Sequence, residues 1–284
     1  MQKSQATFDV IKVLKEVAGE FLPELFQRVR TELGELGARN LRLLDYVFVR
    51  YYYQKDEMGG RWYDPYHVAY STLFAVKLVQ AREASPLIVP GIILHDIGYY
   101  SPLVDKENWA SKNNRIIHMQ EGSGMAAEIL ITNGGFDASE VGAIVGMVVS
   151  HDNGYLGITT KDPDRLALRD ADRIWVMHPL SFYKDWSSKH QKGEELSLLD
   201  LFRSRLISFY GPEEVYSVEW GRVANPDKED VSQSPPSTNL AKEWRDRQFA
   251  AHWQEIQQNI LSSREVFQKH IEEHIRAELA AGRG

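Results

Sequence analysis

The 284-residue chain contains no cysteine. That absence excludes disulfides, thiolate nucleophiles, cysteine zinc sites and cysteine-ligated iron–sulfur clusters, so any metal must be held by His, Asp or Glu. No apolar run reaches membrane-spanning length. There is no glycine-rich phosphate loop and no internal repeat. Positive charge is also short: 33 Lys and Arg face 40 Asp and Glu, for a net charge of -7. That balance argues against a surface for duplex nucleic acid, which needs clustered cations. It does not exclude a small anionic substrate, because bound divalent ions create a local positive site inside an acidic protein. The first residues, MQKSQATFDVIKVLKEV, scatter charges among apolar positions and do not read as a signal peptide. A cytoplasmic protein with no membrane partner is the expectation.

What is present is ordinary for a folded domain: 43% hydrophobic and 26% charged residues. Apolar residues recur at three- and four-residue intervals almost throughout, as in Ile11, Leu14, Val17, Phe21, Leu25 and Val29. That pattern predicts an all-α helical bundle, with the first stretch interrupted or bent near Pro23. A second helix is expected over about residues 40–54, ending at Gly59-Gly60, and a third from Pro65 to about Arg82. Leu87 to Leu94 is almost wholly apolar and reads as a central buried helix, since its neighbours are helical. Further helices are expected over Arg115–Thr132, Ala138–Ser150 and Arg165–Met177, with a loop over Asn153–Asp164. The whole chain reads as a single domain: a core over about 60–185, helical extensions over 1–55 and 200–284, and a polar loop at about 226–239.

Against this background the pair His95-Asp96 stands out. It closes the apolar run in ILHDIGYY, where two polar groups have no cheap reason for burial unless they hold something. His67 falls on the inward face of the preceding helix, His118 opens the following one, His151 closes the next, and Asp172 sits in RDADRI. Helical proteins build interior metal sites in this way, with His and carboxylate from several helices meeting at one point. Imidazole with carboxylate suits iron, manganese, cobalt, nickel or zinc.

The order H...HD...D over residues 60–185 resembles the HD-domain superfamily of metal-dependent phosphohydrolases. On that resemblance His67 matches the first histidine, His95-Asp96 the namesake pair, and Asp172, followed by Arg173, the closing aspartate. His118 and His151 resemble the two extra histidines of its dinuclear branches. The resemblance implies two divalent transition-metal ions bridged by Asp96, with His67, His95 and Asp172 on the first and His118 and His151 on the second. It also implies a metal-activated water attacking the phosphorus of a nucleotide or another small phosphate ester or anhydride. Catalytic roles are expected for Asp96 and, in orienting a ligand histidine or taking a proton, for Asp152 or Asp170. Candidate substrate contacts are Lys112, Asn114, Arg115, Lys161 and Arg165, with Arg61, Trp62, Tyr63 and Tyr66 as a stacking wall.

Blander readings compete. A single buried histidine is more often a satisfied core residue than a ligand. Lys112 and Arg115 read equally as solvated charges at a helix start. The aromatic segments read more readily as core than as a substrate wall. His178, His190, His252, His270 and His274 fall outside the pattern and receive no role. Two rival functions remain open: a mixed-valent di-iron oxygenase, which the same superfamily also includes, and a non-catalytic metal-binding regulatory module. The alarmone-hydrolase branch fits poorly because no appended synthetase or regulatory domain is visible. The cyclic-dinucleotide branch fits poorly because Asp152 and Leu156 stand where its signature has histidine and proline. The sequence leaves the oligomeric state open.

Overall fold

The computed structural model describes residues 6, 8–52, 62–105, 108, 111–133, 135–191, 196–215 and 235–281, with side chains 212–215 left aside. Gly59-Gly60, Arg61 and residues 226–234 of the expected polar loop lie outside them. Among the described residues there are eleven α-helices and no strand, so the chain is all-α as its periodicity predicts. No described helix is long and apolar enough to cross a membrane.

The helices are α1 Val10–Leu36, α2 Ala38–Val47, α3 Asp64–Gln80, α4 Ile88–Leu94, α5 Lys112–Asn133 and α6 Ala138–Val148. They continue with α7 Pro163–Arg173, α8 Pro179–Gln191, α9 Leu198–Val215, α10 Asn239–Gln257 and α11 Arg264–Ala281. They gather into two compact units. One comprises Met1–Pro23, Ile174–Pro236 and Ala241–Gly284; the other comprises Glu24–Arg173 and Ser237–Leu240. The division falls at Pro23 inside α1, the position where a missing backbone donor weakens a helix.

The second unit carries the His-Asp pattern. At its centre lies α4, whose seven residues are all buried. A short helix can be apolar on every side only when neighbours surround it, and α2, α3, α6 and α7 all pack on it. Pro90 sits in its first turn, where no intrahelical donor is lost. The chain leaves α4 through His95 and Asp96 into a single 3-10 turn, Ile97–Tyr100. That turn packs directly on α5: a Cβ at Gly98 would lie 1.8 Å from the carbonyl oxygen of His118 and 2.6 Å from the amide nitrogen of Gly122. Only a glycine permits backbones to approach so closely.

Helix starts are written into the sequence. Asp137 caps α6 by accepting from the amides of Ser139 and Glu140, while Glu140 reaches back to the Asp137 amide, a complete capping box. Asp64-Pro65 opens α3 with an acid and a proline in the first turn.

Candidate metal centre

The six residues of the H...HD...H...H...D pattern reach one place from five segments of the chain. His67 lies in the second turn of α3, and His95 and Asp96 at the C-terminal end of α4. His118 lies within α5, His151 in the turn after α6, and Asp172 in the last turn of α7. All belong to one compact unit.

Asp96 occupies the middle. Its Oδ2 lies 3.6 Å from both His67 Nδ1 and His95 Nε2. Its Oδ1 lies 3.6 Å from His151 Nε2 and 3.9 Å from His118 Nε2. One carboxylate therefore presents a different oxygen to each of two histidine pairs. Asp172 joins the first pair, with Oδ1 2.9 Å from His67 Nε2 and 3.2 Å from His95 Nε2. Two sets of donors result, His67 with His95 and Asp96, and Asp96 with His118 and His151. Each is compact enough to hold a metal ion.

The orientation of the rings supports the same use. His95 Nδ1 donates to the carbonyl of Ile92 at 2.7 Å, His118 Nδ1 to that of Asn114 at 3.1 Å, and His151 Nδ1 to that of Val148 at 2.7 Å. With Nδ1 protonated, a neutral imidazole directs a lone pair from Nε2. All three Nε2 atoms point into the cluster. His95 Nε2 is buried between the carboxylates of Asp96 and Asp172, and His118 Nε2 and His151 Nε2 face one another at 3.1 Å. Metal-ligating histidines are held in this manner by a hydrogen bond at the outer nitrogen. Tyr99 lies flat on the His118 ring at 4.0 Å between centroids, which fixes that ring from the side.

Electrostatics show what the donors need. Burial works to lower the pKa of His95, but Asp96 and Asp172 outweigh it and raise it to about 9. Burial likewise opposes protonation of His151, yet its contact with Asp96 and the charge of Asp152 push it upward. Burial would raise Asp172, while His95 and His67 pull it well below the usual carboxylate range. Positive charge is thus favoured at His95 and His151, and either protons or cations can supply it. Solvent reaches the carboxylates, whose side chains are 10% exposed for Asp96 and 16% for Asp172, whereas those of His95 and His118 are fully covered.

The other sequence candidates separate clearly. Asp152 is buried beside the centre, its Oδ2 3.7 Å from His118 Nε2 and 2.6 Å from Arg115 Nη1. Burial raises its pKa, opposed by His151 and Arg115. Arg115 also lies 3.9 Å above the ring of Tyr155, so it is tied on two sides. Asp170 lies elsewhere: its Oδ2 accepts from the amides of Ser237 at 2.6 Å and Thr238 at 2.8 Å, and its Oδ1 from Arg169 at 3.1 Å. It holds the segment before α10, and backbone carbonyls do the ring-orienting work assigned to it from sequence.

Lys112 and Lys161 are exposed, and Arg165 pairs with Asp162 at 3.8 Å. Asn114 is buried and pins the preceding loop, accepting from the Asp105 amide and donating to the carbonyls of Asp105 and Asn108. Tyr63 and Tyr66 are buried core residues rather than an open wall, and Trp62 is half-buried.

The carbonyls that fix the rings were missed from sequence; the readable signal was that each donor's partner lies three or four residues earlier at a helix end. Comparison of the chain with protein-family models, curated proteins and solved structures found no match.

Proposed function

We propose that this chain is a metal-dependent phosphohydrolase with a dinuclear centre, acting on a nucleotide or another small phosphate ester or anhydride, in the manner of the HD-domain superfamily that its motif resembles. The observation that carries the reading is Asp96, whose two oxygens face two separate histidine pairs. In this reading His67, His95, Asp96 and Asp172 hold one ion, and Asp96, His118 and His151 the other. The donor set fits a first-row transition metal such as iron, manganese, cobalt, nickel or zinc. Such ions, when bound in pairs, supply Lewis acidity and a water acidic enough to attack at neutral pH.

The chain's own residues do the rest. The backbone carbonyls of Ile92, Asn114 and Val148 hold three imidazoles in the ligating tautomer. In this reading Asp152, buried and 3.7 Å from His118 Nε2, would be the carboxylate that takes a proton beside the centre. Arg115 keeps Asp152 in place and brings a permanent cation next to the centre, a feature that suits a phosphate better than a neutral polyol. Lys112, Lys161 and Arg165 lie apart from this network at the surface or on Asp162, so Arg115 is the favoured phosphate contact among the sequence candidates.

The test is a parallel screen of protein reconstituted with Fe, Mn, Co, Ni or Zn. Phosphate release from phosphomonoesters, phosphodiesters and nucleotides is measured beside oxygen uptake with polyols and phosphonates. The reading expects phosphate release that Asp96→Asn abolishes and that Arg115→Met weakens mainly through KM. Oxygen consumption without phosphate release would replace it with the oxygenase reading. Metal binding without either reaction would replace it with the non-catalytic one.

A further inference from the structure

A second cluster of ligand-type side chains lies in the other compact unit, which contains none of the residues discussed above as metal ligands. His252 and Glu255 stand three positions apart on α10 and so share a helix face. His274 comes from α11. His252 Nδ1 lies 2.8 Å from Glu255 Oε2, and His274 Nδ1 lies 2.8 Å from Glu255 Oε1. The carboxylate is therefore held between two imidazole nitrogens. All three side chains are 7% exposed or less.

The outer nitrogens identify the tautomers. His252 Nε2 donates to the carbonyl of Met177 at 2.6 Å. His274 Nε2 lies 2.7 Å from Gln248 Oε1, and the Gln248 side-chain nitrogen donates to Glu278 Oε1, which leaves its oxygen facing the ring. Both Nε2 atoms thus carry protons. In the neutral imidazoles both Nδ1 atoms then direct lone pairs at an ionised carboxylate, and Tyr183 already donates to that carboxylate at 2.7 Å. The arrangement needs positive charge at the inner nitrogens. Two additional protons or one divalent cation would supply it.

From this geometry we propose that His252, Glu255 and His274 form a separate transition-metal site in which the ion joins α10 to α11. Two imidazole nitrogens with one carboxylate are a donor set that zinc takes. Both rings have the outer hydrogen bond that fixes a ligating histidine, to a carbonyl in one case and to a side-chain amide oxygen in the other. Tyr183 orients the carboxylate in the same way. Burial of all three side chains closes the site to substrates, so the ion acts structurally. Binding energy at such a site adds directly to folding stability.

The test uses the full chain stripped of metal and titrated with Co2+, whose visible d–d absorption reports nitrogen and oxygen ligation. His274→Gln and Glu255→Gln should each bind one metal equivalent fewer than the unsubstituted protein and retain the equivalents held through Asp96. Crystals of the unsubstituted protein soaked in Zn2+ should show an anomalous peak between His252 Nδ1, Glu255 and His274 Nδ1, which needs no variant to fold. An unchanged equivalent count in both folded variants, or no peak at that position, would overturn the proposal and leave two imidazolium ions bracketing Glu255. Neither result depends on the Asp96 centre being catalytic.

Discussion

His118 and His151 face each other through Nε2 atoms 3.1 Å apart, although each ring has its Nδ1 proton engaged by a backbone carbonyl. Two such nitrogens, both with lone pairs, repel one another unless a proton or a metal ion lies between them. A shared metal resolves the conflict for both rings at once. On the dinuclear reading proposed above, replacing His151 with Ala should lower the metal content by one equivalent and leave the equivalent assigned to His67, His95 and Asp172. Elemental analysis of folded protein checks this. An unchanged metal content would take His118 and His151 out of the centre.

Metal affinity should rise with pH. The carboxylates of Asp96 and Asp172 raise the pKa of His95 to about 9 against the lowering effect of burial. Below that value the metal-free protein holds a proton on His95 that an incoming ion must displace. Apparent affinity should therefore increase by about tenfold per pH unit for each displaced proton, and level off for this group above about pH 9. The same raised value stabilises the metal-free fold fully below the unfolded pKa of about 6.5. That contribution is lost as pH rises through about 9. Chelator-competition titrations across this window measure the slope; a flat profile would contradict the assignment of His95 as a ligand.

Asp170 should behave as a structural residue. Its carboxylate satisfies the amides of Ser237 and Thr238 and the Thr238 hydroxyl, and the side chain is buried. Asp170→Ala would remove the acceptor these donors share, at a cost of about 2 to 4 kcal/mol. Thermal and denaturant unfolding should show the loss while metal per chain stays unchanged. A fall in metal content without a loss of stability would return Asp170 to the centre.

Gly98→Ala tests the approach of the 3-10 turn to α5. Its Cβ would meet the His118 carbonyl at 1.8 Å, and that contact is backbone on backbone, with no flexible side chain to yield. A destabilisation of about 3 kcal/mol or more is expected, accompanied by weaker binding of the ion near His118. Denaturant midpoints and metal content report the two effects. A variant equal to the unsubstituted protein in both would show that the turn and α5 are not held this closely.

Much of the second unit was legible because its signals are local. The apolar run before His95 becomes the buried α4, and Asp137 with Glu140 becomes a helix cap. His67, His95, Asp96, His118, His151 and Asp172 were readable as a group through their order along successive helices and the motif that this order resembles, and the structure places them side by side. Asp152 and Asp170 could not be told apart in sequence. Only the packing reveals that one meets Arg115 near the centre and the other meets the segment before α10.

His252, Glu255 and His274 were not legible as a group, although the three-residue spacing on α10 was visible, because His274 comes nineteen positions after Glu255 on another helix. The gathering of segments into two units depends on long-range packing, which periodicity does not record.

The central claim is that the Asp96 carboxylate joins two metal positions. The most direct measurement is the metal content of Asp96→Ala against the unsubstituted protein, purified and reconstituted side by side, with folding checked by circular dichroism. The account predicts a difference of two equivalents per chain, because one oxygen of Asp96 is removed from each histidine pair. Equal metal content in the two proteins would contradict it.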